Sequence, residues 1–187
     1  MRAGNRAGDG ELAYVCLGAN LDDPVRQLRK ALSALSALPS CRLLSYSSLY
    51  RTPPLGPPGQ PDYVNGAALL ETDLTPLDLL DALQDIEQAQ GRRRDGERWG
   101  PRTLDLDLLL FGSRIMASER LRLPHPQMHR RAFVLVPLAE VAPADLHVPG
   151  AGVLRDLLRD CDREGITLVP GSAPWQNTVQ NGATDAE

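Results

Sequence analysis

Lysine, cysteine and aromatic residues are scarce in this chain. Its 187 residues contain one lysine, Lys30, together with three cysteines, two tryptophans, four tyrosines and two phenylalanines. The cysteines are Cys16, Cys41 and Cys161. Because they are odd in number, far apart and without a CxxC pair, neither a disulfide framework nor a zinc site is indicated. A reducing compartment is therefore favoured.

Long apolar runs are also absent. No segment approaches the roughly 20 apolar residues that cross a membrane. The N-terminal stretch MRAGNRAGDGE lacks the apolar segment that a signal peptide needs. These absences predict a cytoplasmic protein that has no membrane partner.

The overall charge and length narrow the class of protein further. A formal net charge of −4 at pH 7 argues against broad nucleic-acid binding. The chain has no GxxxxGK[ST] motif, so a P-loop is excluded as a source of nucleotide binding. Its length suits one domain, predicted at residues 12–170, with residues 1–11 and 172–187 as flexible tails.

The spacing of apolar residues predicts an alternation of strands and helices. Helices begin at Pro24 and Pro76, where a cap residue precedes a proline at the first helical position. The predicted order is strand, helix, strand, strand, helix, strand, at residues 12–17, 24–38, 42–51, 63–71, 76–90 and from 104 onward. This order is that of an α+β, ferredoxin-like sandwich, in which helices pack on an antiparallel sheet. The rest of the chain predicts a C-terminal extension with helical stretches at residues 131–141 and 153–161.

The stretch ERWGPRTLDLDLLLFG, residues 97–112, places two carboxylates in an apolar strand. Side chains alternate faces along a strand, so Asp105 and Asp107 share one face and the neighbouring leucines share the other. Two carboxylates about 6–7 Å apart repel each other and need cations or donors near an apolar layer. Magnesium suits such hard oxygen ligands. A solvated sheet edge with two charges on its wet face is the alternative.

An arginine-rich loop leads into this strand. Arg92, Arg93, Arg94, Arg98 and Arg102 stand among glycines and a proline. Guanidinium groups in a loop can bind a polyphosphate through forked hydrogen bonds. Metal ligands beside anion-binding arginines are the two halves of a phosphoryl-transfer site.

Three motifs together resemble one enzyme family. They are RWGPRTLDLDLLLFG at residues 98–112, YRTPPLGPPGQPDYVN at residues 50–65 and RLRLPHPQMHRRAF at residues 120–133. All three resemble segments of 6-hydroxymethyl-7,8-dihydropterin pyrophosphokinase, a folate-pathway enzyme that moves a diphosphate from ATP to a pterin alcohol. The similarity runs in consistent order from about residue 12 to about residue 170. It implies the ferredoxin-like sandwich, two magnesium ions and mobile loops that close over the substrates.

The resemblance also implies roles for individual residues. Asp105 and Asp107 match the carboxylates that hold magnesium, and with Arg92 and Arg102 they form the implied catalytic set. The implied pterin-binding residues are Thr52, Pro53, Leu55, Tyr63, Asn65, Trp99 and Phe133. The implied ATP-binding residues are Gln84, Glu87, Arg92, Arg94, Trp99, Arg102, Leu108, Arg120, His125 and Arg131. Two positions depart from the family's commoner pattern: Pro126 stands where an aromatic residue is frequent, and Arg122 where a small hydroxyl residue is frequent.

The implied substrates are ATP and 6-hydroxymethyl-7,8-dihydropterin, bound by a monomer that has no nucleic-acid partner. Two alternatives remain at this point. A two-metal phosphohydrolase would use the same carboxylates with water as the attacking group, but it would have no use for the loop from Thr52 to Asn65. A ferredoxin-like RNA-binding module usually displays aromatic residues on its sheet, and this sheet shows acids there.

Overall fold

The structure is a computed structural model that describes residues 10–56, 59–92 and 100–176. An antiparallel sheet lies at its centre. The main strands are β1 (Glu11–Ala19), β2 (Cys41–Tyr46), β3 (Tyr50–Thr52), β4 (Tyr63–Thr72) and β5 (Asp105–Phe111). The helices are α1 (Pro24–Ser36), α2 (Pro76–Ala89), α3 (Ala132–Val141) and α4 (Leu154–Asp160). Short strands follow at β6 (Met116–Ala117), β7 (Arg122–Leu123), β8 (His147–Val148), β9 (Gly152–Val153), β10 (Thr167–Leu168) and β11 (Trp175–Gln176), with a 3₁₀ turn at Met128–Arg130.

The strand order is that of a ferredoxin-like sheet. β1 lies in the middle, with β4 on one side and β5 on the other, and both pairs are antiparallel. β2 and β3 both pair with β4, so together they occupy the place of one long edge strand. β10 and β11 extend this edge. The predicted fold class is confirmed.

The two faces of the sheet carry separate apolar cores. Val15 and Leu17 of β1 belong to the core that also contains buried residues of α1 and α2. Tyr14 and Cys16, which point to the opposite face, belong to a second core beneath α3 and α4. The predicted C-terminal extension thus covers the face that a two-helix sandwich would leave open. No helix in the described part of the chain is long and apolar enough to cross a membrane.

The helix ends follow from local side-chain chemistry. The Asp23 side chain accepts a hydrogen bond from the Arg26 amide at 3.3 Å, and Pro24 begins α1. The Thr75 hydroxyl likewise accepts from the Asp78 amide at 3.2 Å at the start of α2. Just past the end of α2, Gly91 has a φ of +84°, a left-handed conformation that glycine adopts without steric cost.

The predicted strand at residues 42–51 is wrong in one respect, because it is two strands. Between β2 and β3, backbone amides that would pair with a neighbouring strand in a continuous sheet instead donate hydrogen bonds to side chains. The Ser48 amide donates to Glu140 Oε2 at 2.7 Å, and the Leu49 amide donates to Ser172 Oγ at 3.0 Å. Such side-chain bonds compete with strand pairing and bend the chain at this point.

Parts of the two predicted tails contact the sheet. Glu11 is already paired with Thr72 in β1. At the other end Trp175 pairs with Tyr46, and the two rings stack with centroids 5.6 Å apart. Residues 1–9 and 177–187, the rest of both predicted tails, lie outside the described residues, and the 12–170 domain boundary stays a prediction.

Candidate active site

The two aspartates of β5 lie on one face of the sheet, as the alternation predicted. Across the β1–β5 pair, Asp105 lies opposite Gly18 and Asp107 lies opposite Cys16. Both aspartates are half-buried, whereas the leucines between and beside them, Leu104, Leu106 and Leu108, are at most 3% exposed. The leucines belong to the core beneath α1 and α2. The carboxylates therefore belong to the other face, where α3 packs.

Two clefts meet at these carboxylates. The first, here called the small cleft, is lined by Thr52, Pro53, Leu55, Gly56, Tyr63, Asn65, Arg102, Asp105 and Phe133. The second is here called the large cleft. It is lined by Leu80, Gln84, Glu87, Arg92, Leu106, Asp107, Leu108, Ser118, Glu119, Arg120, Leu121, Arg122, His125 and Pro126. One carboxylate thus lines each cleft.

The small cleft brings together every predicted pterin residue that the structure describes. Asn65, only 3% exposed, donates from Nδ2 to the Thr52 hydroxyl at 2.8 Å. Tyr63 donates from its hydroxyl to the Gly100 carbonyl at 2.9 Å. Leu55 is 69% exposed at the edge of the cleft. The cleft thus combines aromatic surface with a fixed amide, which suits a flat ring that has polar edges.

Most of the predicted ATP residues line the large cleft, but two do not. Gln84, Glu87, Arg92, Leu108, Arg120 and His125 line it. Arg102 lines the small cleft instead. Arg131 lines neither cleft: its guanidinium lies 5.6 Å from the centroid of the Phe133 ring and donates to the Gln127 side chain. Arg131 therefore lies beside the aromatic wall of the small cleft.

Asp105 is bonded by two arginines in this structure. The Arg92 guanidinium lies 2.7 Å from Asp105 Oδ1, and the Arg102 guanidinium donates to Asp105 Oδ2 at 2.6 Å. All three side chains are 30% exposed or less. The segment before β5 therefore brings Arg92 and Arg102, the two of its arginines that the structure describes, to Asp105.

Asp107 has a different electrostatic environment. Burial, followed by the nearby charges of Asp105 and Glu87, raises the pKa of Asp107 to about 7. The guanidinium groups of Arg102 and Arg92 oppose this effect without cancelling it. The Arg131 guanidinium also interacts with Asp107. Because the raised pKa shows that these arginines do not offset burial, a cation bound at Asp107 would favour its ionised form.

Glu87 is the most buried of these acids. It is 2% exposed, and its Oε1 accepts a hydrogen bond from the Leu106 amide at 2.7 Å and another from Arg92. Burial nevertheless raises the pKa of its carboxyl, because these partners only partly offset the loss of water. Glu87 therefore binds a backbone amide at the outer edge of β5 and holds Arg92 next to Asp105.

Two further members of the large cleft have partners of their own. Arg120 forms an exposed ion pair with Asp81 of α2. His125 donates from its backbone amide to the Leu109 carbonyl at 2.9 Å, which ties its loop to the outer edge of β5. Burial and the charge of Arg131 lower the pKa of His125, so its imidazole is neutral near pH 7.

The predicted site residues Arg94 and Trp99 lie outside the described residues, as does Arg93. Sequence reasoning missed two other residues that the structure adds to the site. Asn20 is 2% exposed and accepts a hydrogen bond from the backbone amide of Arg102. Gly18 of β1 lies opposite Asn65 of β4, and a Cβ added to it would be 3.2 Å from Asn65 Oδ1. A GAN stretch directly after an apolar strand was the only signal for either residue.

The carboxylate pair fits a magnesium ion better than a softer metal. Asp105 and Asp107 offer hard oxygen ligands, and within residues 10–56, 59–92 and 100–176 no cluster of three or more His, Cys, Asp or Glu forms a metal site. Magnesium is commonly held by one or two carboxylates, with phosphate oxygens and water completing its octahedron. The donor set therefore suits a metal that arrives with a phosphate-bearing substrate.

Comparison with known proteins gives one family. The sequence profile of 7,8-dihydro-6-hydroxymethylpterin-pyrophosphokinase (HPPK) matches residues 14–143. A 2-amino-4-hydroxy-6-hydroxymethyldihydropteridine pyrophosphokinase from Pseudomonas aeruginosa is 55% identical over 159 residues, which cover 85% of this chain and 97% of that protein. The protein of the same name from Haemophilus influenzae is 52% identical over 159 residues, covering 84% of this chain and 98% of that protein.

Solved structures share the fold at low sequence identity. A Plasmodium falciparum HPPK-DHPS triple mutant superposes with a TM-score of 0.64 at 14% identity, covering 82% of this chain and 44% of that chain. An HPPK-DHPS crystal structure in complex with substrates gives a TM-score of 0.59 at 13% identity, covering 80% of this chain and 43% of that chain. This chain spans less than half the length of these solved chains, and the likeness concerns the fold alone.

Proposed function

This chain belongs to the 7,8-dihydro-6-hydroxymethylpterin-pyrophosphokinase family, and we propose that its small cleft binds the pterin and its large cleft binds ATP. The reaction transfers a diphosphate group from ATP to the hydroxymethyl group of 6-hydroxymethyl-7,8-dihydropterin in folate biosynthesis. The hydroxymethyl oxygen forms a bond to the β-phosphorus. The bond from that phosphorus to the oxygen of the α-phosphate breaks, the hydroxyl proton is lost, and AMP leaves.

One observation carries the proposal: the two clefts meet at the carboxylate pair. Asp105 lines the small cleft and Asp107 lines the large one, although the two residues are neighbours on one face of β5. A pterin alcohol in the first cleft and a polyphosphate in the second would therefore approach each other there. Holding two reactants in one geometry removes much of the entropic cost of a bimolecular step.

We assign the carboxylate pair to magnesium, with two ions as the family resemblance implies. When bound, magnesium neutralises phosphate charge, orients the attacked phosphorus and lowers the cost of losing the hydroxymethyl proton. Asp105 and Asp107 supply the protein's share of the ligands. The raised pKa of Asp107 supports this assignment, because burial and the charges of Asp105 and Glu87 disfavour its ionised form, which a bound cation would favour.

Arg92 and Arg102 are the proposed phosphate-binding residues. Both are within ion-pair distance of Asp105 and line opposite clefts, so their guanidinium groups flank the place where the substrates would meet. A guanidinium can stabilise the negative charge that spreads over the transferred group in the transition state. Glu87 holds Arg92 in this position through the ion pair described above.

Pterin recognition is assigned to the walls of the small cleft. Tyr63 and Phe133 provide aromatic faces for a flat ring, and the buried amide of Asn65 can donate to and accept from its polar edge. Thr52 fixes the Asn65 amide by accepting its hydrogen bond. These contacts favour an enzyme of the pterin class over a phosphohydrolase or an RNA-binding module, and the comparisons support neither alternative.

The cellular setting and assembly are part of the proposal. Cys16, Cys41 and Cys161 are all free thiols in the structure, which suits a reducing compartment such as the cytoplasm. We propose that the chain acts there as a monomer.

The test is product analysis by mass spectrometry after the purified protein is mixed with ATP, magnesium and 6-hydroxymethyl-7,8-dihydropterin. We expect AMP and a pterin diphosphate, formed only with the metal and lost in Asp107→Asn. Glu71→Gln is the matched control, because Glu71 is also a strand carboxylate paired with an arginine, at 27% side-chain exposure, but at the opposite end of the sheet. ADP with a pterin monophosphate would correct the attacked phosphorus. No metal-dependent product, or equal loss in both variants, would contradict the proposal.

A further inference from the structure

A buried asparagine joins the two loops that form the candidate active site. Asn20 follows the last residue of β1 and is 2% exposed. The substrate loop, residues 53–62, connects β3 to β4. The arginine loop, residues 90–104, connects α2 to β5. Each loop returns to the sheet beside Asn20, and the same side chain bonds to both.

On the side of the arginine loop, Asn20 and its neighbour hold the backbone of Arg102. The Asn20 Oδ1 accepts a hydrogen bond from the Arg102 amide at 2.7 Å. The Arg102 carbonyl accepts from the Asn20 amide at 3.0 Å and from the Leu21 amide at 3.2 Å. Both backbone polar groups of Arg102 are thus fixed to the end of β1, three residues before Asp105.

On the side of the substrate loop, the same side chain donates. Asn20 Nδ2 donates to the Pro61 carbonyl at 3.1 Å and lies 3.5 Å from Gln60 Oε1. Tyr63, two residues after Pro61, makes a second link by donating to the Gly100 carbonyl of the arginine loop. The ends of the two loops are therefore connected to each other at two points.

The chemistry of the position calls for an amide. One partner, the Arg102 amide, needs an acceptor, and the other, the Pro61 carbonyl, needs a donor. A carboxylate supplies only the acceptor, and an apolar side chain of the same size supplies neither. A buried amide or carbonyl that loses its hydrogen-bond partner lowers the stability of the fold by more than the hydrogen bond had contributed to it.

We propose that Asn20 is a positioning residue: it holds Arg102 against Asp105 and couples the pterin side of the site to the phosphate side. This inference rests on the proposed function. Arg102 reaches Asp105 from a backbone whose polar groups are fixed by Asn20. Displacing a site residue by about 1 Å can cost on the order of 100-fold in rate, so the backbone anchor of Arg102 sets the efficiency of the reaction.

Two variants separate the two halves of the role. Asn20→Ala removes both bonds, and we expect kcat to fall by about 10- to 100-fold with a higher KM for the pterin. Asn20→Asp keeps the acceptor for the Arg102 amide and loses the donor to Pro61. It should therefore change KM for the pterin more than kcat. Hydrogen exchange of the Arg102 amide, measured without substrates, should become faster in Asn20→Ala but not in Asn20→Asp.

Thr72→Val is the matched control for a purely structural loss. Thr72 is also 2% exposed and also bridges two backbone groups, since its hydroxyl donates to the Ser40 carbonyl and accepts from the Leu74 amide, each at 3.1 Å. It lies at the far end of β4. Thr72→Val should lower the Tm about as much as Asn20→Ala and leave kcat and KM unchanged.

The outcomes decide between positioning and stability. If Asn20→Ala lowers the Tm but matches Thr72→Val in kcat and in both KM values, the proposal is overturned. If Arg102 exchange is unchanged in Asn20→Ala, the anchor itself is refuted. A wild-type protein without pyrophosphokinase activity would refute the proposed function instead, and the exchange measurement would still test the anchor.

Discussion

Asp105 and Asp107 should respond in opposite directions when each is replaced by asparagine in the metal-free protein. Asp107→Asn removes a carboxylate that burial and two like charges disfavour. Asp105→Asn removes the shared partner of two arginines. The first change should stabilise the fold and the second should destabilise it, although both should abolish turnover.

The size of the stability change in Asp107→Asn follows from the difference in the pKa of Asp107 between the folded and the unfolded chain. Its pKa is about 7 in the folded chain, against an ordinary value of 3.8, so the folded chain holds the proton more tightly than the unfolded chain. The stability that protonated Asp107 contributes is fully present below about pH 4 and is lost as the pH rises to about 7. Allowing for partial exposure to water, ionised Asp107 costs about 2 kcal/mol at pH 8. The Asp107→Asn variant avoids this cost, so the difference between the two proteins should be absent near pH 4 and full near pH 8.

Asp105→Asn should lower the free energy of unfolding. Arg92 and Arg102 are 19% and 30% exposed, and each would lose a charged acceptor. Removing one partner of such a partly buried pair costs about 1–3 kcal/mol.

The assay is urea unfolding with EDTA at pH 5 and pH 8. We expect the free energy of unfolding of Asp107→Asn to exceed that of the wild type at pH 8 by about 2 kcal/mol, a Tm gain of roughly 4–8 °C in a chain of this size. Glu71→Gln, which loses an exposed pair with Arg42, should change by less than about 1 kcal/mol. An Asp107→Asn protein that is less stable than the wild type at pH 8 would refute this reasoning, because it would show that the carboxylate makes a net structural contribution.

Three further substitutions test the walls of the site. Glu87→Gln should lower the free energy of unfolding by about 1–3 kcal/mol, because the buried carboxylate binds the Leu106 amide and Arg92. It should also lower kcat. Urea unfolding measures the first effect, and steady-state kinetics measure the second. Phe133→Leu should raise KM for the pterin by about 5- to 10-fold through loss of an aromatic face, with KM for ATP unchanged in the same titrations. Gly18→Ala should also raise the pterin KM, because the added Cβ would stand 3.2 Å from Asn65 Oδ1, and an unchanged KM would show that the amide can shift.

The sequence predicts the fold well where one signal dominates. The cap and proline at the start of α2 fixed that helix, and period-two alternation placed the acids and leucines of β5 on opposite faces. It failed between β2 and β3, because the break there depends on Glu140 and Ser172, which are distant in sequence. A local pattern cannot report a bond to a residue about 90 or more positions away.

The site shows the same division. Residues in short motifs, such as Thr52 and Asp105, were predicted from those motifs and from the family resemblance. Arg131 is one of the implied ATP-binding residues, and that role stays a prediction. The structure places its guanidinium over Phe133 and within electrostatic range of Asp107, a position that depends on how α3 begins. A single asparagine is not a recognisable motif in a sequence. The proposed role of Asn20 depends on its bonds to two loops that the fold brings together.

The arrangement of charges also bears on how the two substrates depend on each other. Asp105 is already paired with Arg92 and Arg102, whereas burial and the charges of Asp105 and Glu87 disfavour the ionised form of Asp107. A metal ion alone would be attracted by Asp107 but repelled by the two guanidinium groups beside Asp105. A polyphosphate alone would gain from those guanidinium groups but would meet the carboxylates. A metal–nucleotide complex satisfies both sets at once, because the cation takes the carboxylates and the phosphate oxygens take the arginines. We therefore expect the ligand-free protein to bind a metal–nucleotide complex more tightly than the metal ion or the nucleotide alone.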